Sequence, residues 1–81
     1  MQFTSYQIGS AKPVPFVSLE ATSAAYAAMR ERKGWTMRNA PQCAILDDQG
    51  QPVAHVSYNG RIWAGMPRDW RSDAAPLFCN R

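Results

Sequence analysis

The sequence predicts an α+β fold in the order β-β-α-β-β-β, an antiparallel sheet with one helix packed on one face. Three observations predict it. Thr22 to Lys33 is rich in Ala, Met and Arg, which favour helix, and it stops at Gly34. Cys43 to Trp63 reads as three short strands separated by Asp47–Gln51 and by Asn59-Gly60. Two weakly alternating segments precede the helix, so the sheet receives strands from both sides of it.

The first strand is expected within Met1–Gly9, and Gly9 to Pro13 reads as a loop. Val14 to Ala21 alternates again, with Val17, Leu19 and Ala21 on one face. Pro13 and Pro15 cannot donate ladder bonds, which assigns this segment to a sheet edge. The alternation of Phe16-Val-Ser-Leu favours a helix start at Thr22 over the earlier start at Ser18. Thr22 or Ser23 then caps the first turn, and Arg30, Arg32 and Lys33 complement the dipole of the last. Ala25, Tyr26 and Met29 are the expected buried stripe, and Trp35 is expected to fold back on Met29 past a left-handed Gly34.

Asn59-Gly60 predicts a two-residue type I′ turn, because both central residues then need positive φ. That register pairs Val56 with Trp63 and puts Ala54, Val56, Tyr58 and Trp63 on the core face. His55, Ser57 and Ile62 fall on the other. Asp47–Gln51 admits three registers. Two- and four-residue loops both send Cys43 and Ile45 to the core, whereas a three-residue loop with Gly50 left-handed pairs Cys43 with His55. A slip of one residue turns every side chain over, so the core favours an even loop. Residues 65–81 show no period and form a tail expected to wrap the core through Trp70, Leu77 and Phe78.

Eighty-one residues, 46% of them hydrophobic, make a single small domain spanning 1–81. Burial and ordering nearly cancel at this size, so most large apolar side chains are needed inside. The net charge of +3 is mildly basic. The N-terminal residues show no basic and apolar signal-peptide pattern, and no apolar run suits a bilayer, so a cytoplasmic location without membrane association is expected. Cys43 and Cys79, without CxxC spacing, are expected to stay reduced there.

Catalytic chemistry finds little support. A Cys43–His55 dyad needs the slipped register, an orienting group and an oxyanion hole. Two Cys and one His fall short of a zinc set, so no metal and no cofactor are expected. Asp47 and Asp48 are explained by their turn, and Asp69 and Asp73 by solvation in the tail. The sequence holds no Gly-rich phosphate loop, HExxH or GxSxG. The expectation is therefore a non-enzymatic protein.

Two surfaces remain. Arg61, Met66, Arg68, Trp70 and Arg71 set arginines among Trp and Met, the composition of protein-interface hot spots, and are the leading candidate for binding a protein partner. Arg30, Arg32, Lys33 and Arg38 are the alternative, a basic helix end able to contact nucleic-acid phosphates. Self-association as a homodimer through an open sheet edge is a further expectation. The stretches Leu19-Glu-Ala-Thr-Ser-Ala-Ala-Tyr-Ala-Ala and Ala44-Ile-Leu-Asp-Asp-Gln-Gly-Gln-Pro-Val-Ala resemble segments of small uncharacterised accessory proteins of bacteria and their phages. That resemblance implies action by binding, including as an inhibitor of host machinery such as CRISPR complexes, and transfers no residue role.

Overall fold

The computed structural model describes residues 2–67 and 75–79. Its elements are β1 (Ser5–Ile8), β2 (Val14–Pro15), α1 (Leu19–Lys33), β3 (Cys43–Leu46), β4 (Pro52–Val56) and β5 (Ile62–Ala64). The five strands form one antiparallel sheet in the order β2-β1-β3-β4-β5. This is the α+β class expected from the sequence, with the helix after the first two strands.

Helix α1 starts earlier than the alternation indicated. Ser18 is the cap: its hydroxyl accepts the Ala21 N–H at 3.0 Å, and the Thr22 hydroxyl donates to the Ser18 carbonyl at 2.9 Å. These bonds satisfy first-turn groups that an extended Ser18–Ala21 would have to pair elsewhere. The apparent strand thus shrinks to Val14–Pro15 at the sheet edge, and Val17 is 81% exposed. At the other end Gly34 is left-handed, and the N–H groups of Gly34 and Trp35 bond to the carbonyls of Glu31 and Arg30. Trp35 places its ring 6.5 Å from that of Tyr26, one turn before the expected Met29.

The inward face of α1 is not the expected Ala25–Tyr26–Met29 stripe. Thr22, Ser23 and Tyr26 are buried, while Ala25 and Met29 are half-buried. The hydroxyl of each of the three finds a partner, Thr22 at the Ser18 carbonyl of the helix's own cap. The Ser23 hydroxyl donates to the Gly60 carbonyl at 2.7 Å, and the Tyr26 hydroxyl to the Pro41 carbonyl at 3.0 Å.

The β3–β4 connection combines two of the weighed registers. Asp47 and Gln51 close a three-residue loop, with Gly50 at φ +77. Asp47 Oδ1 accepts the N–H groups of Gln49 and Gln51, both at 2.9 Å, which gives this carboxylate a turn-forming role. Alone, that loop would set Cys43 opposite His55. A register shift beside Ile45 and Leu46 adds one residue to β4 and restores Cys43↔Val56 and Ile45↔Ala54.

The β4–β5 connection corrects the sequence reading. It is a three-residue loop, with the Ser57 N–H donating to the Arg61 carbonyl at 2.8 Å. Gly60 carries the positive φ, +93, and no non-glycine residue among those described has one, so Asn59 is not in the type I′ conformation. An Asn-Gly pair serves either turn, and here the glycine alone takes the left-handed corner. The pairs become Val56↔Ile62 and His55↔Trp63. Ile62 enters the core and Trp63 leaves it.

The core face holds Tyr26, Cys43, Ile45, Ala54, Val56 and Ile62, with Phe3, Tyr6, Ile8, Phe16, Leu19, Trp35 and Phe78 packed around them. Ile45 and Ile62 are fully buried, each worth roughly 1.5–3 kcal/mol on transfer from water. Phe3 and Phe16 meet edge-to-face at 5.3 Å. Phe78 forms an antiparallel bridge with Ile62 that uses both the N–H and the carbonyl of Ile62. Tail residue Phe78 therefore packs on the core as expected, Leu77 is 44% exposed, and Trp70 lies outside the described residues. Edge strand β2 contains Pro15, and at the other edge the backbone of Ile62 is bridged by Phe78.

Replacing Ser23 with Ala strands the buried Gly60 carbonyl. The expected loss is about 1–3 kcal/mol, read as a lower urea midpoint with an unchanged m-value. A midpoint matching that of Ala24→Ser, a control at an exposed position, would contradict the role given to this bond.

Candidate functional site

With α1 covering one face of the sheet, the other face carries the candidate site. Strand alternation sends Ala44, Leu46, His55 and Trp63 to that side. Arg61, bonded opposite Ser57, belongs to it too. Of the five residues proposed for protein binding, Arg61 is half-buried on this face and Met66 is half-buried just past β5. Gln42 Nε2 lies 4.0 Å from Met66 Sδ. Arg68, Trp70 and Arg71 lie outside the described residues.

The residue that organises this surface is Trp63, which the sequence reading had placed in the core. Trp63, His55, Tyr58, Met37 and Pro67 line a cleft of about 360 Å³, with Ser57 and Asn59 on its margin. Met37 is 76% exposed although it lines an apolar surface. His55 is only 6% exposed, and its Nδ1 lies 2.8 Å from the Gly65 carbonyl. Because a carbonyl only accepts, Nδ1 carries the proton, and in the neutral ring Nε2 is the acceptor. Counting a three-residue loop with Gly60 at its last position would have put Trp63 on this face from sequence alone.

The four cations proposed as an alternative site are placed differently from one another. Arg30 Nη1 donates to the Tyr58 carbonyl, and the guanidinium sits 4.9 Å from the centre of the Tyr58 ring. Tyr58 in turn donates its hydroxyl to the Trp35 carbonyl at 3.2 Å. Arg30 thus fastens the end of α1 to the β4–β5 turn, and its charge is already engaged by a carbonyl and a π face. Arg32 extends along α1, with Nη2 3.3 Å from Met29 Sδ, and Arg32, Lys33 and Arg38 are exposed.

The thiol–imidazole pair is also separated. Cys43 faces α1, is fully buried, and pairs with Val56, whereas His55 faces the other way. Burial pushes the Cys43 thiol up to about 12, away from the thiolate that nucleophilic chemistry requires. Burial also raises the Tyr26 phenol above its ordinary value, with Cys43 adding to the effect and Arg30 opposing it. Neither Cys43 nor Cys79 is in a disulfide. Among the described residues, no three His, Cys, Asp or Glu gather where a metal could sit, and no helix is long and apolar enough to cross a membrane.

No known protein family, curated protein or solved structure matches this chain.

Two measurements check the placement of Cys43. Iodoacetamide should modify Cys79, which is exposed, and spare Cys43 until denaturant is added. Cys43 labelling in the native protein would contradict its burial. Stability should also fall at high pH. The fold favours the neutral forms of Cys43 and Tyr26, so their contribution is complete below the ordinary values of 9.0 and 10.0 and is lost as pH rises through the raised ones. For Cys43, whose raised value lies near 12, the slope approaches about 1.4 kcal/mol per pH unit between the two values. Cys43→Ala should flatten the part beginning near pH 9, the thiol's ordinary value, and an unchanged slope would refute the assignment.

Proposed function

We propose that this chain is a non-enzymatic protein-binding module that occupies a surface of a larger partner through the helix-free face of its sheet. The observation that carries this reading is the cleft around Trp63, where an aromatic side chain and the 76%-exposed Met37 share a braced scaffold, with Arg61 on the same face of the sheet. Trp and Arg are enriched among residues that dominate interface energies, and Met adapts its shape to a partner. The rigid side of the cleft comes from the hairpin turn, tied to α1 by Ser23, Arg30 and Tyr58. A surface held in place before binding loses less entropy on association.

The expected cellular role is that of a small cytoplasmic accessory protein, of the kind by which bacteria and their phages inhibit larger assemblies. Arg61 and Met66 remain in the proposed surface, and Trp63 and Met37 join it. Nucleic-acid binding through Arg30, Arg32, Lys33 and Arg38 is the weaker reading, because Arg30 is committed to Tyr58.

Affinity capture from host-cell lysate, with and without nuclease, tests the reading when run beside Met37→Glu and Trp63→Ala. The supporting result is a partner protein that survives nuclease and is depleted by about tenfold or more with either variant, as hot-spot losses imply. Circular dichroism should show Met37→Glu folded, since the side chain is exposed. Release of the captured material by nuclease, or capture indifferent to both variants, would overturn the proposal.

A further inference from the structure

A second concave surface lies on the helix side of the molecule, between α1 and the β1–β2 hairpin. Two adjoining hollows of about 410 and 320 Å³ share Ile8, Ala11 and Met29, so they form one groove. Its floor is apolar, built from Tyr6 and Ile8 of β1 and Ala25, Ala28 and Met29 of α1. Val14, 43% exposed on β2, forms part of one wall, and Trp35 and Pro41 close one end.

The rim is charged with one sign only. Lys12 stands on the hairpin side, and Arg32 and Lys33 stand on the helix side. All three are exposed, and no acidic residue lines either hollow. Arg32 rests its guanidinium on the Met29 sulfur, which holds the charge at the lip of the groove. The hairpin wall is fixed as well. Gln7 Nε2 donates to the Ala11 carbonyl at 2.7 Å, the Gly9 N–H donates to the Gln42 carbonyl at 2.8 Å, and Gly9 approaches Pro41 so closely that an added Cβ would lie 3.0 Å from the Pro41 Cβ.

From this charge pattern we infer that the groove docks an acidic segment of a partner protein, whose apolar side chains enter between α1 and β1 and whose carboxylates meet Lys12, Arg32 and Lys33. The apolar floor distinguishes this occupant from nucleic acid, since phosphates would use the rim and leave the floor unfilled. One-signed charge around an apolar centre sets orientation and speeds encounter, while the buried anchors supply affinity. The inference rests on the protein-binding reading but on a different face, so the two can fail separately.

Selection of a random peptide phage library on the immobilised full chain tests it. The expected peptides carry Asp or Glu flanking Leu, Ile, Phe or Trp. A synthetic copy of the leading peptide should bind about tenfold or more weakly to the double variant Lys12→Glu, Arg32→Glu, and its affinity should fall with added salt. Ala28→Trp, an exposed change on the helix that fills the groove, should give a comparable loss without altering the circular dichroism spectrum. Met37→Glu, on the opposite face, should leave the peptide's affinity unchanged. Peptides with no acidic enrichment, binding undiminished by the charge reversals and Ala28→Trp, loss caused only by Met37→Glu, or displacement of the peptide by duplex DNA would each overturn the groove assignment. Loss caused only by Met37→Glu would leave the Trp63 cleft as the binding surface.

Discussion

The parity of β4 is the constraint on which the rest of the structure depends. This strand joins β3 and β5 through two three-residue loops, and each odd loop inverts the face that a simple two-residue hairpin would present. The inversion on the β3 side is undone by the register shift at Ile45/Leu46, and the one on the β5 side is kept. Together they bring Cys43, Ile45, Ala54, Val56 and Ile62 to a single face. With so few large apolar residues there is no slack for another solution: one missed parity would put Ile62 in water and a tryptophan against the helix.

The same parity distributes chemistry. It encloses the Cys43 thiol beneath α1, points the imidazole of His55 the opposite way, and makes Trp63 the centre of the helix-free face. The molecule thereby acquires two surfaces of distinct character. One is the Trp63 cleft, lined in part by Met37 and on the same face as Arg61. The other is the cation-rimmed groove along α1. They share a scaffold and no lining residue, so changes to one need not disturb the other.

Much of the fold was legible in the sequence, for reasons that are local. Gly34 ended the helix because a left-handed residue was needed there, Pro13 and Pro15 marked an edge, and the turn segments Asp47–Gln51 and Asn59-Gly60 delimited the strands after the helix. What escaped was decided by tertiary contacts. Ser18 competed with Thr22 and Ser23 as cap, and it prevailed because Thr22 and Ser23 are needed inside, against the Ser18 and Gly60 carbonyls. Asn59-Gly60 announced a turn but not its length. The extra residue in β4 has no signature of its own and is visible only when the turn at Gly50 and the core are both satisfied. The candidate site was less legible than the fold: composition singled out Arg61, but Trp63 was misplaced by the wrong turn length, and the engagement of Arg30 with Tyr58 joins residues far apart in the chain.

The helix's inward face has one more consequence. A helix that docks through leucines can slide or rotate by a fraction of a turn and still bury grease against grease. Here Ser23 and Tyr26 each bond a particular carbonyl outside the helix, those of Gly60 and Pro41, and a shifted docking would leave the buried Ser23 and Gly60 groups unsatisfied. Such alternatives are raised in energy one by one, which widens the gap between the native arrangement and its near neighbours on the folding landscape. In a chain with a core this small, uniqueness of structure comes from penalties on wrong arrangements more than from the strength of the right one.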